Sequence, residues 1–371
     1  MKYRCYKLSP SEPWMSVPCS LPGFPYLSSQ TAPPNPTYFS PPAMARRTMH
    51  AVRYDGYGGG AAALEHVEIS VPLPKKNEVL LKVEAASINP ADWKIQKGMV
   101  RPFLPPKFPF TPVTDVAGEI IEIGSGVKNL KVGDKVVCML GYWNGGGLAE
   151  YAVVPASLTI NRPPAISAAE AAGLPVAAAT ALSALKTIET EFDGTSRAAN
   201  ILITAASGGV GLYAVQLAKL ANHHVTATCG AQNVELVKSL GADEVLDYKT
   251  PEGASLKSPS GRKYELVVHC AVDINWSTFE PNLSANGKVI DLTPGLRTIL
   301  RSAVKKLTFS KKQLVPLVVP AGNKDLKFLV ELVKEGKLKT IVDSRHPLSK
   351  AEEAWAKSMD GHATGKVIVE M

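Results

Sequence analysis

One stretch constrains this chain more than any other: Asn200 to Leu220, NILITAASGGVGLYAVQLAKL. It opens on an apolar run of strand length, Ile201 to Thr204. A turn of Ser207, Gly208, Gly209, Val210 and Gly211 follows, and Val210, Ala214, Leu217 and Ala218 then recur at helical spacing. A strand that passes through glycines into a helix is the opening of a dinucleotide-binding unit. Glycines let the backbone approach a pyrophosphate, and the N–H groups at the helix start point at the anion. The sequence therefore predicts a doubly wound parallel sheet with this turn around the phosphates.

The next strand selects the nucleotide. His224 to Cys229 is a buried-strand pattern, and it ends where an acidic residue would hold an NAD ribose. The chain continues Gly230-Ala231-Gln232-Asn233, with no acid. Without a carboxylate nothing there repels a 2′-phosphate, which favours NADPH over NADH. Cys229, Gln232, Asn233, Lys238 and Tyr248 are the candidate contacts at that end. For Lys238 a solvated helix face is the alternative.

At 371 residues the chain has room for two domains. No apolar run reaches membrane-spanning length. Its five cysteines show no paired spacing, so a reducing compartment is expected, with neither a disulfide framework nor a structural zinc. The net charge of +8 is unevenly spread. Lys2, Arg4, Lys7, Arg46 and Arg47 stand against Glu12 alone in residues 1–47, and the remainder is mildly basic. No motif or aromatic platform for nucleic acid accompanies it. The Pro- and Ser-rich leader over 1–47 is expected to be disordered, either as an organelle-targeting segment or as sequence ahead of a start at Met44.

From Met49 the pattern is of short strands with Gly and Pro turns, which predicts a small β-barrel: Met49–Tyr54, Leu64–Val71, Glu78–Ala85, Val116–Ile123, Lys135–Met139 and Leu148–Val154. Ala-rich helices follow over Ser167–Ala172 and Ala177–Lys186, then the dinucleotide unit, with strands and helices alternating to Val319. Lys324–Lys337 and Ala351–Met359 read as amphipathic helices. The last strand, Gly365–Glu370, has no partner in the α/β part and is expected to return to the barrel.

Several stretches together are similar to the zinc-independent branch of the medium-chain dehydrogenase/reductase family: Asn89-Pro-Ala-Asp-Trp-Lys94, Asp115-Val-Ala-Gly-Glu119, Gly145-Gly-Gly-Leu-Ala-Glu-Tyr151, the glycine turn, and His362-Ala-Thr-Gly-Lys366. More closely, from Met49 onward they resemble the plant chloroplast envelope quinone oxidoreductase homologues and their alkenone-reducing relatives. The resemblance implies an α/β protein: a GroES-like β-barrel catalytic domain over 48–172 and 323–371, and a Rossmann domain over 173–322, with NADPH between them. It implies a chloroplast location, envelope-associated or not, with the cytoplasm as the alternative, and a monomer or homodimer. Zinc-dependent members carry Gly-His-Glu where this chain has Val116-Ala-Gly-Glu119, and no cysteine ligand precedes it, so no metal is expected. Tyr248 matches a family tyrosine at the 2′-phosphate, whereas the Arg or Lys that some relatives carry is absent from Gln232-Asn233. The resemblance also puts Thr180 near the nicotinamide and turns Lys94 towards the substrate cleft.

Hydride from a nicotinamide adds to the β-carbon of an activated C=C bond or to a quinone, and negative charge then builds on the conjugated oxygen. Lys94 is the first candidate to stabilise it. Asn89 is a candidate to orient substrate or loop, with local backbone capping before Pro90 as its alternative. Asp92 reads as a salt-bridge partner of Lys94 or a turn former, outside the catalytic set. Tyr142 is a candidate lid residue and proton donor, with water as the other source. Cys270 and Leu292 follow strands whose ends should border the cofactor, and Cys270 reads as a packed thiol rather than a nucleophile. Thr364 and Lys366 are candidate cofactor contacts from the returning tail, and His362 reads as an acid–base group or a surface histidine. The basic run Arg301–Lys312 reads as a solvated helix face or a peripheral membrane contact. Two functions compete: an NADPH-dependent reductase of enones, enals or quinones, and a non-catalytic NADPH-binding protein associated with a membrane.

Overall fold

The computed structural model describes residues 47–193, 195, 197–317 and 323–371. The expected leader, apart from Arg47, and the end of the strand expected to reach Val319 lie outside them. Strands form where the sequence alternates. β1 (Thr48–Arg53) and β2 (Glu65–Ser70) make an antiparallel hairpin. β3 (Glu78–Ile88) is the backbone of a second, seven-stranded sheet with β4 (Asp115–Ile123), β5 (Lys135–Met139), β6 (Tyr151–Pro155) and β7 (Thr159–Asn161). β3 buries both faces. Leu81 and Val83 join Ile120, Leu148 and Trp355 in the barrel core, while Leu80 packs under the hairpin with Met49 and Tyr151. Two register shifts between β3 and β4 bend the sheet.

β3 leads directly into α1 (Pro90–Gln96), a helix absent from the elements expected from the sequence. Pro90 suits the first helical position, and the Asp92 carboxylate accepts the Asn89 backbone N–H at 2.7 Å, which starts the helix. Gln96 fixes its far end, donating to the Gly60 carbonyl at 2.9 Å and accepting from Trp355 Nε1 at 3.0 Å.

After α2 (Ala168–Ala172), capped by Ser167 and Glu170, and α3 (Ala177–Lys186), the chain builds a six-stranded parallel sheet. Its elements are β8 (Asn200–Thr204), α4 (Gly209–Leu220), β9 (His224–Cys229), α5 (Val234–Ser239), β10 (Glu244–Asp247), α6 (Pro251–Ala254), β11 (Tyr264–His269), α7 (Trp276–Phe279), β12 (Leu283–Asp291), α8 (Leu296–Leu307) and β13 (Gln313–Pro316). The strand order β10-β9-β8-β11-β12-β13 reverses between β8 and β11, and such a switch point is where open α/β sheets bind ligands. Ile201 and Ile203 face the helices α3 and α4, and Leu202, Val267 and Val289 face Trp276 and Phe279.

α9 (Asn323–Lys334) buries Leu326, Leu329 and Val330 in the same core as α3 and β8. β14 (Val342–Pro347), α10 (Ala351–Asp360) and β15 (Lys366–Glu370) complete the chain. β15 pairs antiparallel with β3 and parallel with β14, so the tail does return to the barrel sheet. β14 went unforeseen because Val342-Asp-Ser-Arg-His-Pro has no apolar alternation.

Candidate active site

The glycine turn is held from two sides. Ala206 N–H donates to the Thr228 carbonyl at 2.7 Å and Ala205 N–H to its hydroxyl at 3.2 Å, so β9 aims the turn. On the other side Gly208 forms a β-bridge with Gly365 of the returning tail. A Cβ on Gly211 would lie 2.4 Å from the Ala205 carbonyl oxygen, so only glycine lets α4 sit this close to β8. Ser207, Gly208, Gly209 and Val210 remain half-buried at the start of a 12-residue helix with no acid in its first turn. Such a helix start, with no carboxylate competing for its N–H groups, suits an anion.

The ends of β9 and β10 lie side by side. Cys229 is buried there, Gln232 is exposed, and Asn233 is tied to Thr364, its Nδ2 lying 3.1 Å from the threonine hydroxyl. Tyr248 donates its backbone N–H to the Cys229 carbonyl at 3.2 Å and leaves its ring 46% exposed, with the Lys249 amine 5.9 Å from the ring centre. Lys249 is a cation the sequence reading missed; it stands next to a residue that reading had chosen. Lys238 pairs instead with Glu235 at 3.1 Å on an exposed helix face.

At the switch point the Thr204 hydroxyl gathers the end of β11. It meets His269 Nδ1 at 3.0 Å and accepts the Cys270 and Ala271 N–H groups at 3.0 and 3.2 Å. Burial pushes the Cys270 thiol up to about 12, which keeps it a packed, protonated thiol. Leu292 is half-buried and donates its N–H to the His269 carbonyl. Thr180 is half-buried on α3. His362 is exposed.

Opposite lies α1. The Lys94 amine sits 5.6 Å from the centre of the Trp93 ring and is half-buried. Its pKa is lowered by burial, with the charge of Asp291, at the end of β12, acting the other way. A lysine of the barrel domain is thus within electrostatic reach of the parallel sheet's carboxyl ends. The expected Lys94–Asp92 salt bridge is not made. Asp92 is turned inward to cap its own helix and is 3% exposed.

Beneath α1 the structure gathers a polar cluster that no local pattern announced. Asn89 Nδ2 donates to Asp115 Oδ2 at 2.9 Å, and the Lys366 amine donates to Asn89 Oδ1 at 2.6 Å. Asp115 also accepts the Val176 N–H, at the start of α3, at 3.0 Å. Asn89 takes the capping alternative, as the N-cap of α1 whose backbone N–H is held by Asp92, and its side-chain amide faces the cluster. Lys366, expected against the cofactor, is 3% exposed and turns its amine inward. Burial raises Asp115 to about 6 against the pull of Lys366, and raises Asp92 to about 8, with Asp115 adding to the effect. Tyr142 and Asp92 share the wall of a cavity of about 10 Å³ with Phe110 and Thr114. Burial, then Asp92 and Asp115, push the Tyr142 phenol far above its ordinary range, so it stays a hydroxyl donor.

Among the described residues no group of three or more His, Cys, Asp or Glu could hold a metal ion. Val116 and Ala117 are fully buried core residues on β4, and Cys138 is a buried thiol raised by desolvation. This donor set does not fit zinc.

A doubly wound sheet with a glycine turn, facing a barrel through a half-buried lysine, defines a dinucleotide-dependent oxidoreductase. Residues 75–164 match the family described as alcohol dehydrogenase GroES-like domain, and 240–369 that described as zinc-binding dehydrogenase. The chloroplast envelope quinone oxidoreductase homolog of Arabidopsis thaliana is 68% identical over 328 residues, 88% of this chain and 100% of that protein. The NADPH-dependent alkenal/one oxidoreductase, chloroplastic, of the same plant is 34% identical over 340 residues, 87% of this chain and 80% of its own length. The quinone oxidoreductase structure from Coxiella burnetii superposes with a TM-score of 0.79 at 29% identity, covering 88% of this chain and 100% of that one. The chain belongs to the medium-chain dehydrogenase/reductase family of oxidoreductases, and within it stands with the chloroplast envelope quinone oxidoreductase homologues.

Proposed function

We propose that this protein uses NADPH to reduce the activated C=C bond of enones or enals, or a quinone, without zinc. The observation that carries this reading is Lys94, half-buried opposite the carboxyl ends of the parallel strands. The glycine turn and the start of α4 would hold the pyrophosphate, and Gln232, Tyr248 and Lys249 the 2′-phosphate. Cys229, Asn233, Thr364, Thr180, Cys270 and Leu292 would line the remainder. When bound, the reduced nicotinamide supplies a hydride. Lys94 offers a cation to the substrate oxygen on which charge develops, at a place where partial burial strengthens it. Tyr142 offers the proton that the substrate carbon or oxygen then takes up. The domain division at 48–172 with 323–371 against 173–322 and a chloroplast location complete the proposal.

A second reading, a non-catalytic NADPH-binding protein at a membrane surface, draws on α8. There Ile299, Leu300, Val304 and Leu307 are exposed beside Arg301 and Lys306. Among the described residues no helix is long and apolar enough to cross a membrane. Purified protein given NADPH and a panel of enones, enals and quinones separates the two. Oxidation of NADPH only when an electrophile is present is expected. Tight NADPH binding with no turnover across the panel would leave the second reading.

A further inference from the structure

Buried charged side chains lie beneath the helix that carries Lys94. Asp115 and Lys366, each bonded to Asn89, are 0% and 3% exposed, and burying opposite charges gains little over apolar packing of the same volume. Their contacts are directional, however, and join parts of the chain far apart in sequence. Lys366 opens β15, directly after the glycine that bridges to Gly208. Its side chain runs alongside the turn, where a Cβ on Gly209 would lie 3.2 Å from its Cδ, and ends on Asn89. Asn89 is the residue from which α1, and so Lys94, departs. Asp115 fixes the other side of Asn89 and the first N–H of α3 together.

We propose that Lys366 and Asp115 form a buried latch, closed through Asn89, that sets the Lys94 helix against the dinucleotide turn. They are positioning residues, acting on the reaction only through where they hold Lys94. This rests on the reductase reading given above. A lysine held about 1 Å out of place loses much of its effect on the transition state, since misplacement on that scale costs up to about a hundredfold in rate.

The test uses the full chain and the substitutions Lys366→Met and Lys94→Ala, alone and combined, with kcat on the best electrophile, the NADPH Kd from its fluorescence, and the melting temperature. Lys366→Met is expected to lower kcat roughly tenfold or more while the NADPH Kd moves less than about threefold. In the Lys94→Ala background the same change should lower kcat by less than about twofold, because there is no longer a lysine to misplace. Losses that multiply, a kcat left intact, or a Kd that rises more than about threefold as kcat falls would each overturn the latch. Should Lys366→Met fail to fold, the pair Asp115→Asn with Lys366→Gln, which removes both charges and keeps hydrogen-bonding groups, is read in the same way. If the unaltered protein turns over nothing, the reductase reading fails, and the latch is read instead from the emission maximum of bound NADPH. A shift in the latch variant supports it, and an unchanged maximum overturns it.

Discussion

Gly211→Ala isolates the fit of α4 against β8. An added Cβ would lie 2.4 Å from the Ala205 carbonyl oxygen and 2.6 Å from Ala206 Cα, and both neighbours are backbone. Ordinary contact begins near 3.4 Å, so the start of the helix must withdraw by roughly 1 Å. Overpacking of this kind costs about 1–3 kcal/mol. Alanine returns about 1 kcal/mol of helix propensity over glycine, which leaves a net destabilisation of about 0–2 kcal/mol. Binding should suffer more than folding. The N–H groups displaced are those that would meet the pyrophosphate, and a hydrogen bond to a charged group is worth about 1.5–3 kcal/mol. Losing one weakens NADPH binding by about tenfold to 150-fold. Fluorescence titration measures that, and a thermal melt measures the fold. Gly56→Ala, where nothing lies within 4 Å, is the control. An NADPH Kd within about twofold of the parent in Gly211→Ala would refute the placement of the dinucleotide on this turn.

Lys94→Ala should lower kcat by about a hundredfold or more while the NADPH Kd stays nearly constant, and steady-state rates with an enone would show an intact kcat if Lys94 plays no part. Lys249→Ala should weaken NADPH by roughly threefold to tenfold and leave NADH unaffected, because an exposed charge pair contributes about 1 kcal/mol; equal losses for both would remove Lys249 from the 2′-phosphate site. Asp92, raised to about 8 by burial and then by Asp115, keeps a proton in the folded protein that the unfolded chain gives up near pH 4. Stability therefore falls as pH rises through that window. Above about 6, as Asp115 completes its ionisation, Asp92 supplies the falling part of the slope, and the buried Lys366, its pKa lowered by burial, acts the other way. Denaturant melts of Asp92→Asn should be flatter between pH 6 and 8, and an unchanged slope would show that Asp92 is already ionised.

What the sequence disclosed and what it hid divide along the range of the interactions. The strand, glycine turn and helix over 200–220 are encoded by neighbours a few residues apart, and they form where periodicity placed them. The antiparallel strands were legible from alternation, with ends misjudged by a few residues: β3 runs on to Ile88 rather than ending at Ala85. The latch was not legible. Lys366 and Asn89 are 277 residues apart, and no pattern around either says which way its side chain turns. Of the two roles open to Asp92, it takes the local one, capping α1, because Lys94, two residues on, lies on another face of that helix.

β15 lies between β14 and β3, inside its sheet rather than at an edge. The strand that completes the barrel is thus the last of that sheet to be synthesised. On the ribosome the six parallel strands have all emerged while β3 still waits for its neighbour, and its unpaired edge needs shelter until residues 366–370 arrive.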